Sequence, residues 1–281
     1  MDDDAGLREL IERALDEDIG SGDLTTSAIL TGAEQGFAQA VSKGDTIVAG
    51  IDVFGEVFRV LDPSLAFEAY LSDGQAAVKG GLLASVAGSL KPILMAERVA
   101  LNFFQRMCGI AALTRRYVEE VAGTGVRILD TRKTTPTLRG LEKYAVTAGG
   151  GTNHRFGLYD AVMIKDNHIT AAGGITQAVR KVRGSVPTGT RIEVETKNMD
   201  EVAEALAAGV DIIMLDNMGI REMTEAVSRI AGRALIEASG NITLSNVKEV
   251  ARTGVDWISV GALTHSASAA DISLIFKQAG G

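Results

Sequence analysis

Six short apolar runs in the second half of the chain each end in glycine or in residues able to do chemistry. The runs are 126–129, 161–164, 191–194, 211–215, 234–236 and 256–260. Just beyond them stand Asp130, Arg132 and Lys133; Lys165, Asp166 and Asn167; Glu195 and Lys197; Asp216 and Asn217; Ser239, Gly240 and Asn241; and Gly261. Two classes of group gather there. Arg132, Lys133, Arg155 and Lys165 are cationic, with His154 beside them; a guanidinium fork suits carboxylate and phosphate, and lysine adds a compact point charge. Glu195 and Asp216 are carboxylates on successive runs, and such a pair suits Mg²⁺, which is often held by one or two carboxylates plus substrate phosphates. Ser239-Gly240-Asn241 and Gly261-Ala262-Leu263 are small and expose backbone, as a phosphate cradle at the end of a barrel requires. Two competing readings stand beside these. The charges could pair internally as Arg–Glu contacts, and a lysine at a strand end could serve a Schiff-base aldolase.

For these groups to converge, the runs must be parallel strands. Stretches near 138–148, 174–184, 200–208, 220–231 and 244–253 carry helical periodicity, so strands and helices alternate across short connections, the pattern of a parallel sheet. Gly-Val-Asp recurs at 209–211 and 254–256, each time ahead of a strand. No Gly-x-Gly-x-x-Gly follows the first strand, which disfavours a dinucleotide-binding open sheet. An incomplete (open) parallel α/β barrel of about six strands puts every run's end on one rim, where such folds carry their active sites.

The first hundred residues read differently. Leu7, Leu10, Ile11, Ala14 and Leu15 mark an amphipathic helix over 5–16, from their 3.6-residue spacing. Strands are expected at 37–43 and 65–71, a helix around 53–61, and a hairpin-like pair of short strands in 73–88. Residues 92–123 are helix-rich, with Gly109 expected to break or join two helices. Cys108 reads as a small core residue, His168 as a residue that orients a loop, and His265 as structural.

Composition narrows the function classes. An apolar fraction of 46% with 23% charged residues excludes a disordered chain. A single cysteine excludes an intramolecular disulfide. No apolar run approaches the roughly 18 residues that span a bilayer, and the acidic start Met1-Asp2-Asp3-Asp4 is unlike a secretion signal; the expectation is a soluble, cytoplasmic protein. A net charge of −8 argues against non-specific nucleic-acid binding. Residues 98–165 nevertheless carry 11 Lys+Arg against 5 Asp+Glu, a basic middle that suits a local anion site.

The same residues carry a family likeness. Glu-Asp-Ile-Gly-Ser-Gly-Asp-Leu-Thr-Thr (17–26), Ala-Glu-Arg-Val-Ala-Leu-Asn-Phe (96–103), Asp-Thr-Arg-Lys-Thr-Thr-Pro (130–136), Gly-Gly-Gly-Thr-Asn-His-Arg-Phe-Gly-Leu-Tyr-Asp (149–160), Ile-Lys-Asp-Asn-His (164–168), Glu-Val-Glu (193–195), Leu-Asp-Asn (215–217), Ala-Ser-Gly-Asn (238–241) and Ser-Val-Gly-Ala-Leu-Thr-His (259–265) follow one another in that order. Together they resemble the quinolinate phosphoribosyltransferase family, the carboxylating nicotinate-nucleotide pyrophosphorylases of NAD biosynthesis. The resemblance implies an N-terminal α/β sandwich over 1–103, rejoined by a C-terminal helix at 267–281, and an α/β barrel over 104–266. It implies a homodimer with a shared active site. The implied reaction joins quinolinate to phosphoribosyl pyrophosphate with loss of CO2 and requires Mg²⁺; a paralogue of the same fold, acting on another pyridine or associated with molybdenum transport, is the nearest alternative.

Carried over position by position, Arg132, Arg155 and Lys165 match the quinolinate carboxylate binders, with His154 beside them, and Arg98 matches an arginine that reaches in from the partner subunit. Thr131 and Lys133 match the same pocket, Lys133 near both substrates. Glu195 and Asp216 match the acidic residues at the ribose and Mg²⁺. Ser239, Gly240, Asn241, Gly261, Ala262 and Leu263 match the 5′-phosphate loops. Lys133, Glu195 and Asp216 are the expected catalytic set. Lys197 and Asn198 match no family position.

Overall fold

The computed structural model describes residues 4–278. The chain divides into two compact units, residues 1–112 with 267–281, and residues 113–266. The first expected boundary, after residue 103, and the observed one, after residue 112, both fall inside a single long helix.

The first unit runs α1 (Asp4–Ile19), α2 (Leu24–Ile29), β1 (Gln35–Ser42), β2 (Thr46–Ile47), α3 (Ile51–Leu61), β3 (Ala66–Ala69), β4 (Ala76–Ala77), β5 (Leu82–Ser89) and the start of α4 (Leu90–Glu120). The amphipathic stripe behaves as its spacing predicts, with Ile11 and Leu15 of α1 buried against Phe54 and Phe58 of α3 in one apolar core. Asp23 caps α2 by accepting the Thr26 amide at 2.9 Å.

Three expectations for this unit are corrected. The residues 73–88 form no hairpin: β4 pairs with β2, whereas β5 pairs with β1 and β3. Gly109 does not interrupt α4, which continues through it. A side chain at that position would strike the Ser268 carbonyl oxygen, so the glycine serves a close approach of backbone to helix rather than a break. The expected C-terminal helix is a strand, β12 (Ile272–Gln278), grouped with the first unit. It pairs antiparallel with β1 and completes a sheet in the order β12-β1-β5-β3. Ile272 and Leu274 are buried while Ser273 and Ile275 are less so, a period of two that belongs to a strand. Residues 279–281 of the expected helix lie outside the described residues.

The second unit takes the end of α4 and then alternates: β6 (Arg127–Leu129), α5 (Arg139–Ala148), β7 (Val162–Ile164), α6 (Asp166–Ala172), α7 (Ile175–Arg183), β8 (Ile192–Thr196), α8 (Met199–Ala207), β9 (Ile212–Asp216), α9 (Ile220–Ile230), β10 (Leu235–Ser239), α10 (Val247–Ala251), β11 (Trp257–Ser259) and α11 (Ala262–His265). All six expected strands are present and parallel, in the order β6-β11-β10-β9-β8-β7. β6 and β7 are the two ends of that order, so the barrel stays open. The Gly-Val-Asp repeat has a structural use. Asp211 accepts the Ile192 amide at the head of β8, and Asp256 accepts the Ile236 amide of β10, both at 2.8 Å. Each aspartate thus fixes the register of the neighbouring strand.

Gly109→Ala is expected to lower stability by about 1–3 kcal/mol through overpacking. A denaturation midpoint unchanged from the parent protein would show that the helix can move away from Ser268.

Candidate functional site

The end of β6 is held by a buried ion pair. Asp130 and Lys143 of α5 are 0% and 1% exposed and bonded to each other. Asp130 also accepts the His154 amide at 2.8 Å, and Lys143 donates to the His154 carbonyl at 3.0 Å. The Asn153 amide, oriented to suit its partners, donates to Asp130 Oδ2 at 2.6 Å and to the Lys143 carbonyl at 2.9 Å. Burial pushes the Asp130 pKa up, and Lys143 and the His154 amide oppose that. This network fixes two cationic pairs at once, because Arg132 and Lys133 follow Asp130 and Arg155 follows His154.

Arg132 and Arg155 are held close enough to repel. Burial and then the Arg132 charge depress the Arg155 pKa, while Glu193 and Asp160 act against the shift. Arg155 Nη1 is bonded to the Ala161 carbonyl at 3.1 Å. Arg132 Nε is buried without a hydrogen-bond partner. Repelling guanidiniums and an unpartnered buried N–H both call for an anion.

His154 itself is gripped from two sides. Its Nε2 lies 3.1 Å from Glu193 and 3.3 Å from Glu237. Burial alone would lower its pKa, but the two carboxylates outweigh burial and raise it to about 10. The Arg155 amide donates to Nδ1 at 2.7 Å, which asks for a bare nitrogen there. Both place a hydrogen on Nε2; they differ at Nδ1, where the carboxylates favour a second proton and the Arg155 amide favours a bare nitrogen, and the hydrogen-bond geometry decides for the bare nitrogen.

The carboxylates expected at the ribose stand on β8 and β9. Lys165, ahead of α6, donates to Glu195 at 3.0 Å, and an ammonium held on a carboxylate suits charge balance better than Schiff-base chemistry. Asp216 accepts the Asn217 side-chain Nδ2–H at 3.0 Å. Those bonds use one oxygen of each carboxylate. His168 accepts the Lys165 amide at 3.0 Å and closes the first turn of α6, the loop-orienting part expected of it. Lys197 pairs with Asp166 at 2.9 Å and Asn198 caps α8, so the two unmatched positions are structural.

The strand ends of β9, β10 and β11 show why glycine recurs there. Asn217 and Asn241 both adopt positive φ, and Asn241 donates to Asn217 Oδ1 at 2.9 Å. A side chain on Gly240 would collide with Asn217. A Cβ on Gly261 would lie 3.1 Å from Lys133 Cδ and 3.2 Å from the His265 ring. Both glycines leave bare backbone facing a shared space.

That space is one cavity of about 720 Å³, a size ordinary for small-molecule sites. Its lining includes Thr131, Arg132, Lys133, His154, Arg155, Lys165, Glu195, Asp216, Ser239, Gly240, Asn241, Gly261 and Ala262. Leu263 is not in the lining and is fully buried in α11. Arg98 lies exposed on the part of α4 that belongs to the other unit. Of the lining residues, Glu237 escaped the sequence reading, Asn217 was named at its strand end without a role, and His265 was read as structural. Glu237 had a signal: a carboxylate directly after an apolar strand run must find a reason to be buried. His265 had none beyond its place near Gly261.

A parallel α/β sheet with cationic strand ends, bare glycine loops and two carboxylates around one cavity defines an enzyme-like site for polyanionic small molecules. Comparison with known proteins narrows it. The family model for the quinolinate phosphoribosyl transferase N-terminal domain matches residues 23–108, and that for the C-terminal domain matches residues 110–275. A probable nicotinate-nucleotide pyrophosphorylase [carboxylating] of Synechocystis is 48% identical, covering 90% of this chain and 86% of its own. One from Bacillus subtilis is 44% identical, covering 95% and 92%. The crystal structure of NadC from Streptococcus pyogenes superposes with a TM-score of 0.93 at 42% identity, covering 96% of each chain. The chain belongs to the quinolinate phosphoribosyltransferase family.

Lys143→Met leaves Asp130 buried without its partner and is expected to cost about 3–5 kcal/mol. A urea titration that shows a loss below about 1 kcal/mol would mean that the pair does not hold the strand end.

Proposed function

We propose that this chain transfers the phosphoribosyl group of phosphoribosyl pyrophosphate to quinolinate, releasing pyrophosphate and CO2 and leaving nicotinate mononucleotide. The observation that carries the reading is the set Arg132, Lys133, Arg155 and Lys165 lining one cavity together with Glu195 and Asp216. Quinolinate is a dianion, and the repelling pair Arg132 and Arg155 supplies two guanidiniums for its carboxylates. Thr131, Lys133 and His154 complete that side, and Lys133 also reaches toward the diphosphate. Ser239, Gly240, Asn241, Gly261 and Ala262 receive the 5′-phosphate on exposed backbone; Leu263 contributes to this loop by packing under it.

As the bond from C1′ to pyrophosphate breaks, positive charge develops on the ribosyl ring, and Glu195 and Asp216 are placed to stabilise it. The pyridine nitrogen attacks C1′. The quaternised ring then accepts the electron pair of the C2–carboxylate bond, CO2 leaves, and C2 takes up a proton. Most of the rate enhancement comes from holding two anions together in one orientation. Glu195 and Asp216 offer the oxygen donors that Mg²⁺ prefers, with an oxygen of each outside the bonds described. Bound there, Mg²⁺ would neutralise charge on the departing pyrophosphate.

The reading includes a homodimer in which Arg98 of each protomer completes its partner's site. It is supported by the exposure of Arg98 and by the exposed apolar side chains Leu24 and Ile29 of the first unit and Leu158 and Tyr159 of the second, which a partner would cover. A cytoplasmic setting fits the single buried cysteine, whose thiol burial pushes up to about 12.

Assayed with quinolinate, nicotinate and nicotinamide, the protein is expected to turn over quinolinate, and turnover of nicotinate alone would replace the substrate. Arg132→Ala should weaken quinolinate binding by about 1.5–3 kcal/mol, ten- to a hundredfold, and phosphoribosyl pyrophosphate much less. Equal losses for both would remove Arg132 from the pyridine side. Arg98→Ala and Lys165→Ala subunits, each inactive, should regain part of the activity when mixed; subunit exchange without rescue argues against a shared site.

A further inference from the structure

Two buried carboxylates beside His154 have no use in the proposed reaction: Glu237, which lines the cavity, and Glu193, which does not. Glu193 of β8 and Glu237 of β10 are 3% and 0% exposed, and burying two like charges side by side is costly unless they do something. Both face His154 Nε2, and the three groups lie within 4.8 Å of one another. One Nε2 offers one hydrogen to two carboxylates and is aligned on neither: Glu193 Oε1, both Glu237 oxygens and Nε2 itself lack a hydrogen bond of good geometry.

A His–Glu–Glu group of this size could hold a divalent cation. The far side of the ring decides otherwise. Nδ1 accepts the Arg155 amide at 2.7 Å, so the ring hydrogen sits on Nε2, and a protonated nitrogen has no lone pair to give a metal. The same contact shows what the carboxylates can act on. His154 is fixed along its backbone by Asp130 and Lys143, and Glu193 and Glu237 hold the Nε2 side of its ring. The ring in turn holds the amide of Arg155.

We infer that Glu237, together with Glu193, is a positioning residue of the pyridine subsite: the buried carboxylate pair clamps His154 by Nε2, and His154, through Nδ1, sets the aim of Arg155. This rests on the quinolinate reading above for its kinetic consequence and on the apo protein alone for its structural one. Removing one carboxylate frees the ring to tilt, and the guanidinium that depends on it loses its orientation. Phosphoribosyl pyrophosphate, in the same reading, is held by Lys133, Glu195, Asp216 and the glycine loops and does not use this clamp.

The test is Glu237→Gln, which keeps shape and removes charge, read in two ways. In protein labelled with ¹⁵N-histidine there are three imidazoles, and His154→Gln assigns the one of interest. Glu237→Gln should shift that Nε2–H resonance and speed its exchange with solvent. In steady-state assays it should raise the quinolinate KM about tenfold, the scale on which small misplacements of a binding group act, with the phosphoribosyl pyrophosphate KM within twofold. An unchanged His154 resonance overturns the inference. So does an equal rise in both KM values, which would be general loosening of the fold. One equivalent of Zn²⁺ or Mn²⁺ retained by the parent in equilibrium dialysis and lost from Glu237→Gln also overturns it, in favour of a metal site. Should Glu237→Gln not fold, Glu193→Gln is read by the same measurements. If the parent protein does not turn over quinolinate, the functional reading falls, while the imidazole spectra still decide whether the clamp exists.

Discussion

The buried pair Asp130–Lys143 is the interaction on which the site depends. It ties the end of β6 to α5 and takes both the amide and the carbonyl of His154. Through it, residues some twenty positions apart in sequence become neighbours, and the cations of two separate segments face one space. A buried ion pair seldom adds much to stability compared with apolar packing, but it is intolerant of losing one member. Here that intolerance works as a locating device: the charged ends cannot drift without leaving a buried charge unpaired.

Charge is layered within the cavity. At the lip, Arg132, Arg155 and Lys133 present positive charge, and Arg132 and Arg155 oppose each other. Glu195 and Asp216 stand at the ends of β8 and β9, and Glu193 and Glu237 are buried beside His154. Glu193 and Asp160 supply counter-charge to the Arg155 guanidinium. Without the upper cations, two polyanionic substrates could not approach one another. The open barrel provides this layering directly, because alternate residues of each strand point inward: Glu193 and Glu195 on β8 occupy two depths of the same wall.

Much of this was legible in the sequence, and the reasons are local. Apolar runs of strand length separated by helical periods identified all six strands of the second unit, since a parallel sheet buries its strands on both faces. The polar residues after each run marked the rim. The misreadings came from long-range partners. Gly109 looked like a helix breaker because its true constraint, Ser268, lies far along the chain. Residues 73–88 looked like a hairpin because nothing local says that β4 pairs with β2 instead of β5. The helix that the resemblance implies for the final segment is a strand, in which Ile272 and Leu274 alternate with less buried residues. The clamp around His154 was illegible for the same cause: Glu193 and Glu237 meet only after three strands have been laid side by side.

The strand β12 has a consequence for how the molecule is made. β1 emerges from the ribosome early, yet its partner along Gly36–Ser42 is Ile272–Gln278, which is translated only after the whole of the second unit. Until then one edge of the first sheet exposes its amides and carbonyls to any passing strand. Synthesis from one end therefore cannot finish the N-terminal unit first. The intervening catalytic layer is the earlier candidate for completion, and the tail of the nascent chain closes the sheet that its head began.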